Sequence, residues 1–301
     1  MTSDLPDLGL LLDVDGPIAS PLTRSIAIPS IAEDLVTLAN AGVPIVFNTG
    51  RSDQFLQGEV VGPLVDGGLS PEARVFGVCE KGAVWFRITP AGVGDLSIDE
   101  TLLVPASLTA AIDELVTARF TDSMFFDRTK RTMVSVEQRT DVASDDYLAI
   151  QPVFDRAVLD LCRTFDIGVV WRTDEQPASD GRVLLRIDPS IISTDIESVR
   201  VGKDLGAERA LALVAATGHV PRTWRTVGDS RSDYAMAEWL HTERYDVAHL
   251  DVRPAEGVPV TRYPVLTADP DVTNDAAGAV FLRRWTQHIV DGSPLPADLP
   301  Y

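Results

Sequence analysis

Asp13 and Asp15 end an apolar run, Leu8–Leu12, and are followed by Gly16 in the stretch L-G-L-L-L-D-V-D-G. Carboxylates at i and i+2 of a continuing strand share a face, so both can address one substrate. Two close anions repel, and the pair calls for a cation or a shared proton. Three more segments carry chemistry: Thr49-Gly50-Arg51, Lys203, and Gly228-Asp229-Ser230-Arg231-Ser232-Asp233. Acids suit Mg²⁺, a hard cation that takes oxygen ligands. A hydroxyl, a backbone N–H after a strand and a lysine suit a phosphate. Acids, metal and phosphate clamps together point to phosphoryl transfer, with Mg²⁺ screening a carboxylate nucleophile from an anionic substrate.

These groups need a scaffold that brings strand ends together. Leu8–Leu12 reads as a strand covered on both faces, as in a parallel sheet. Ser30–Ala41 reads as an amphipathic helix with Ser30 as N-cap and Glu33 completing a capping box, ended by Gly42 and Pro44. Pro44–Phe47 and Arg74–Val78 are predicted strands, with a helix from Ser52 between them. Alternation of this kind predicts a doubly wound α/β core with a parallel, Rossmann-like sheet. From residue 84 the pattern changes. Ala83–Thr89, Thr132–Glu137, Ile167–Arg172 and Arg182–Asp188 read as strands, and Ser107–Phe120 and Asp145–Phe165 as helices, the latter broken or kinked at Pro152. This predicts an inserted α+β module with an antiparallel sheet over 84–198. The core is then 1–83 and 199–301, with Lys203 just ahead of a helix over Ala207–Thr217, a strand over Trp224–Val227 and a helix from Tyr234. Asp291–Tyr301 reads as an irregular tail.

In this order and spacing, D-V-D-G, T-G-R, Lys203 and G-D-S-R-S-D resemble the motifs of the haloacid dehalogenase superfamily of phosphatases. The closest pattern is the branch with a large α/β cap between the second and third motifs. Glu80-Lys81-Gly82-Ala83 resembles its E-N-G-A segment and Asn274–Val280 its late N-D-x-x-G-V segment, with Ala279 as one extra residue. The resemblance implies that Asp13 attacks phosphorus and becomes an aspartyl-phosphate. It implies that Asp15 protonates the leaving oxygen and then deprotonates the attacking water. Thr49 and the N–H of Gly50 would bind phosphoryl oxygens, and Lys203 would neutralise charge. Asp13, the carbonyl of Asp15 and Asp229 would hold Mg²⁺, with Asp233 in direct or indirect contact. Closing of the cap would exclude water. Three positions depart from the pattern: Pro17 follows Gly16 where threonine is common, Lys81 replaces asparagine, and Ser232 stands where asparagine is frequent. Lys81 is read as a surface lysine, with a place at the site mouth as the alternative.

Asp127–Arg139 (D-R-T-K-R-T-M-V-S-V-E-Q-R) resembles a segment of trehalose-type sugar-phosphate phosphatases, in which an acid and a lysine precede a strand ending in arginine. Lys130 and Arg139 fit that spacing. Histidine is absent, the acid is displaced, and a polar strand edge explains the charges equally well. Arg172 and Arg186, on other strands of the module, are further candidates for substrate contact. The expected function is Mg²⁺-dependent hydrolysis of a small phosphorylated metabolite, with a sugar phosphate favoured. A phosphomutase and a non-catalytic binding protein on the same fold are the alternatives.

The composition narrows the classes further. A formal net charge of −19 excludes a general nucleic-acid binder and disfavours anionic membranes. No apolar run reaches the length of a membrane span, and no basic residue precedes the first apolar stretch, so neither an anchor nor a signal peptide is expected. Cys79 and Cys162 are expected as reduced thiols of a cytoplasmic protein. Only three of the 26 basic residues are lysines: Lys81, Lys130 and Lys203. No G-x-S-x-G occurs, and His219, His241, His249 and His288 have no zinc-ligand spacing.

Overall fold

A computed structural model describes residues 5–293 and Leu295. Of the tail expected to be irregular, residues 294 and 296–301 lie outside the described residues, and Asp291 is the last residue of a helix. The chain divides into two units, one made of residues up to Ser97 and from Gly202 onward, the other Ile98–Val201.

The first unit is built on a nine-stranded sheet. Its first half runs β1 (Leu8–Leu12), α1 (Pro29–Asn40), β2 (Ile45–Asn48), a short helix α2 (Asp53–Leu56) continued by a π turn (Gln57–Val61) and α3 (Gly62–Asp66), then β3 (Val75–Cys79). The chain adds β4 (Val84–Thr89), β5 (Gly92–Val93) and β6 (Ser97–Ile98) at the far edge. Every residue of β1, β2 and β3 is buried, as apolar runs flanked on both faces require. Helix α1 starts one residue before the predicted cap. Pro29 takes the first turn, where its missing N–H costs nothing, and Ile28 caps without a side-chain bond.

The inserted unit contains α4 (Ala106–Arg119), the hairpin β7 (Met124–Phe126) and β8 (Val134–Gln138), α5 (Ser144–Thr164), and β9 (Val169–Trp171), β10 (Asp174–Gln176), β11 (Leu185–Pro189) and β12 (Ser193–Ser198). Its sheet has the order β10-β9-β11-β12-β8-β7 and is antiparallel except for the β9–β11 pair. Helix α5 runs unbroken through Pro152. Tyr147, Gln151, Phe154, Val158 and Cys162 recur every three to four residues on its buried face, and their packing outweighs one lost backbone bond.

The chain returns to the first unit with α6 (Lys203–Ala216), β13 (Thr223–Gly228), α7 (Tyr234–Thr242), β14 (Asp246–Asp251), β15 (Val265–Leu266) and α8 (Asn274–Asp291). The sheet order is β15-β14-β13-β1-β2-β3-β4-β5, parallel from β15 to β3. From β1 the connections run one way through β2 and β3 and the other way through β13 and β14. The carboxyl ends of β1 and β13 therefore flank the switch point where open α/β sheets bind ligands.

Two predicted boundaries change. The module was expected from residue 84, but β4 pairs antiparallel with β3 and buries Val84, Phe86 and Ile88 in the first unit, so that unit extends to Ser97. Period-two alternation marks a strand with one covered face, and such a strand can equally edge a parallel sheet. Helix α6 begins at Lys203 itself, four residues earlier than predicted. Gly206 lies in its first turn, where Asn48 packs: a Cβ at 206 would lie 2.0 Å from Asn48 Oδ1.

Cys79 and Cys162 are free and buried. Among the described residues no helix is long and apolar enough to cross a membrane.

Candidate active site

The site is assembled at the ends of three neighbouring strands. Asp13 follows β1, and its N–H donates to the carbonyl of Val227 on β13 (2.9 Å), which pins the carboxylate beside the next motif. Gly16 has φ +94, and a Cβ there would meet Asp229 Cβ at 2.9 Å, so the turn after the first motif needs glycine twice over. Asn48 and Thr49 end β2 in full burial. Asp229 and Asp233 follow β13.

Lys203 joins these ends. Its Nζ donates to Asp13 Oδ1 (2.6 Å) and to the carbonyl of Asn48 (2.8 Å), and lies 2.7 Å from Asp233 Oδ1. Asn48 Nδ2 donates back to the carbonyl of Lys203 (2.9 Å), fixing the first turn of α6 against β2. Asp13, Asp229 and Asp233 each offer a ligand atom, all within 4.8 Å of one another. Asp233 is committed on both sides. Besides Lys203, its Oδ2 accepts from the N–H groups of Asp229 and Ser230 (3.1 and 3.0 Å) and from the Ser230 hydroxyl (2.7 Å). This is a capping box that doubles as a brace for the motif.

The electrostatics follow from three carboxylates converging on one buried ammonium. Burial raises the Asp13 carboxyl well above its usual range; Lys203 pulls it down, while Asp233 and Asp15 add to the rise. Burial and Asp233 push Asp229 up to about 6 against the pull of Arg253 and Lys203. Burial also acts against the charge of Lys203, but Asp13 and Asp233 more than offset it and hold the ammonium charged. Asp233 is opposed by burial, yet Lys203 and Ser230 keep it below its usual range. The cluster is short of positive charge, and its donors are hard oxygens. A divalent cation such as Mg²⁺ fits that donor set and that deficit.

Asp15 stands apart from this cluster. Arg51 grips it with two parallel bonds, Nε to Oδ2 (2.9 Å) and Nη2 to Oδ1 (3.0 Å), and lies over the Phe55 ring at 4.9 Å. The N–H of Arg51 donates to Thr49 Oγ1 (3.1 Å), so the T-G-R turn holds itself in shape. Ser52, N-cap of α2, accepts from the N–H of Phe55.

The structure thus gathers Asp13, Lys203, Asp229 and Asp233 tightly, and brings Asp15 to Arg51. Reading residue types alone missed Arg51 as the partner of Asp15, although it was visible inside the T-G-R motif. It also missed Arg253, whose Nη2 lies 3.3 Å from Asp229 Oδ2 and whose Nε donates to the Asp229 carbonyl. No motif marks Arg253. Beside it a cavity of about 340 Å³ is lined by Ser230, Arg231, Tyr234 and Asp251.

In the inserted unit the four candidates sit on or beside different elements. Arg139 pairs through two bonds with Asp141 (2.9 and 2.7 Å) and is exposed. Arg186 reaches the carboxylate of the fully buried Glu197 through Nε (2.8 Å), and the carbonyl of Val201 (2.8 Å). Arg172, with φ +58, forms the tight turn between β9 and β10 and lies over the Trp171 ring. Lys130 is half-buried in the loop between β7 and β8. Arg139 and Arg186 thus have structural partners of their own, where residue type and spacing alone had marked them for substrate.

No family model matches the sequence, and no curated protein matches it. Solved structures do match. The C-terminal domain of trehalose-6-phosphate phosphatase from C. albicans aligns with 93% of this chain and 91% of its own, at a TM-score of 0.63 and 13% identity. A haloacid dehalogenase-like hydrolase from Bacteroides thetaiotaomicron aligns with 92% of this chain and 98% of its own (TM-score 0.57, 11% identity). The fold is that of the haloacid dehalogenase-like hydrolases. A trehalose-6-phosphate phosphatase from Aspergillus fumigatus aligns with 93% and 92% of the two chains (TM-score 0.51, 14% identity). At these identities the likeness is one of backbone fold.

Proposed function

We propose that this chain is a Mg²⁺-dependent phosphomonoesterase that acts on a small phosphorylated metabolite through an aspartyl-phosphate on Asp13. The observation that carries this reading is the bridge of Lys203 between Asp13 and Asp233, with Asp229 beside them, at the switch point of the sheet. A buried carboxylate braced by a lysine, yet left short of positive charge, is built to meet a cation and an anionic substrate together. Asp13, the carbonyl of Asp15 and Asp229 would hold the ion, with Asp233 setting their positions. When bound, Mg²⁺ would supply charge neutralisation between the nucleophile and the phosphoryl oxygens.

The remaining steps belong to the chain itself. The free oxygen of Asp13 attacks phosphorus as the bond from phosphorus to the ester oxygen breaks. Asp15 delivers a proton to that leaving oxygen, then takes one from the water that cleaves the acyl phosphate and regenerates Asp13. Arg51 must loosen its two-bond grip for Asp15 to carry the first proton, and the same grip suits the carboxylate form needed for the second. Thr49, the N–H of Gly50 and Lys203 hold the phosphoryl oxygens.

A sugar phosphate is the favoured substrate. The two trehalose-6-phosphate phosphatases among the similar structures support this, with Lys130 as a candidate contact. Arg172 is a further candidate contact.

The test is phosphate release from p-nitrophenyl phosphate and from a panel of phosphorylated metabolites with Mg²⁺. Release that disappears in Asp13→Asn and on chelation is expected. No release across the panel overturns the reading in favour of a binding protein. Isomerised sugar phosphate without free phosphate points to a mutase.

A further inference from the structure

Resting on the phosphoryl-site reading above, we infer that Lys81 is a second phosphate-binding lysine, acting from the Gly50 side of the pocket while Lys203 acts from the Asp13 side. Three observations converge on it. First, its aliphatic stem runs along the phosphate loop: a Cβ built on Gly50 would lie 3.6 Å from Lys81 Cε and 3.8 Å from Lys81 Cγ. Its ammonium is one bond beyond Cε, within reach of an anion seated on the Gly50 N–H.

Second, the backbone at 81 is clamped between the two elements that would hold phosphate. The N–H of Glu80 donates to the Arg51 carbonyl (3.1 Å) and that of Lys81 to the Thr49 carbonyl (3.0 Å). The Lys81 carbonyl accepts from the N–H of Gly202 (2.9 Å), next to Lys203. Residue 81 thus ties the T-G-R turn to the start of α6, which sets where its side chain starts.

Third, the conformation is unfavourable for lysine. Glu80 and Lys81 both lie in the left-handed region, at φ +49 and +56, with Gly82 following at +104. Glycine or asparagine adopts that region with less strain. A long cationic side chain held there in a chain with only three lysines fits a role that the backbone alone does not need.

The roles of strain and charge separate cleanly by experiment. Inorganic phosphate binding is measured by calorimetry with Mg²⁺ present, alongside the melting temperature, for the wild type, Lys81→Asn, Lys81→Gly and Lys81→Arg. Lys81→Asn and Lys81→Gly are expected to keep or raise the melting temperature while weakening phosphate binding about tenfold or more, the loss expected for one charged hydrogen bond. Lys81→Arg is expected to recover most of the affinity, and KM for p-nitrophenyl phosphate to rise in step with the lost affinity. Phosphate affinity within twofold of wild type in both Lys81→Asn and Lys81→Gly overturns the inference. A wild-type protein that binds no phosphate overturns the phosphoryl-site reading, and the inference with it.

Discussion

The charged groups of the first unit and those of the inserted unit obey different rules. In the first, Asp13, Asp233 and Lys203 are buried and share one another's charges, although Asp13 and Lys203 are 190 residues apart in the chain. In the second, pairs such as Arg139 with Asp141 and Arg163 with Asp160 are local and solvated. A buried charge network is costly to assemble unless every member is paired, so its presence at a switch point marks a site. Exposed pairs contribute little, and their presence marks nothing by itself. The pair Arg186–Glu197 is an intermediate case, because the carboxylate is fully buried while the guanidinium is partly exposed.

The largest effect that would sharpen this contrast is expected at Lys203. Lys203→Ala leaves Asp13 and Asp233 buried without their cation, a loss of about 3–5 kcal/mol in the metal-free protein. Urea unfolding measures it, and a loss below 1 kcal/mol would show that the cluster is not the electrostatic unit described here. In the inserted unit, Arg186→Leu strips Glu197 of its guanidinium and should cost about 1–3 kcal/mol, discounted for the exposure of the arginine. A larger loss than at Lys203 would erase the difference between the units.

Asp155 gives a smaller, pH-dependent effect. Burial raises its carboxyl, opposed by the hydroxyl of Thr194 (2.8 Å), Trp171 and Arg172. Its folded pKa lies above the unfolded 3.8, so the folded state binds the proton more tightly. Its contribution therefore improves as pH falls through the raised folded value toward 3.8, and is least favourable at neutral pH. Asp155→Asn should flatten that slope in a pH series of melting temperatures. An unchanged slope would show that Asp155 does not carry it. The smallest effect is expected for Arg139→Ala, whose solvated pair with Asp141 should leave the melting temperature essentially unchanged. A large rise in KM for a sugar phosphate with stability unchanged would return Arg139 to the substrate site.

Much of this was legible in the sequence where residue type and local period agree. The all-apolar runs of β1 and β2, the motif order and the two-unit division follow from patterning, because a strand buried on both faces has few other readings. The assignment of Val84–Thr89 to the wrong unit shows the limit: alternation reports one covered face, not which unit covers it. Helix α6 starts at Lys203 rather than Ala207, and Gly206 in its first turn makes room for Asn48, a long-range contact with no local sequence signal. Arg51 was visible but unassigned. Arg253 carries no sequence signal, and its place beside Asp229 comes from the adjacency of β13 and β14.

The sequence by itself determined which chemistry this chain can attempt, because acids, a threonine, a lysine and glycines in that order have intrinsic affinities for cations and phosphates. Tertiary structure alone decided which charges share a partner. It set Lys203 between Asp13 and Asp233, bound Asp15 to Arg51, laid Lys81 along Gly50, and gave Arg139 and Arg186 to neighbouring acids. The reason is physical: charge interactions fall off with distance and strengthen on burial, and both are properties of the folded chain.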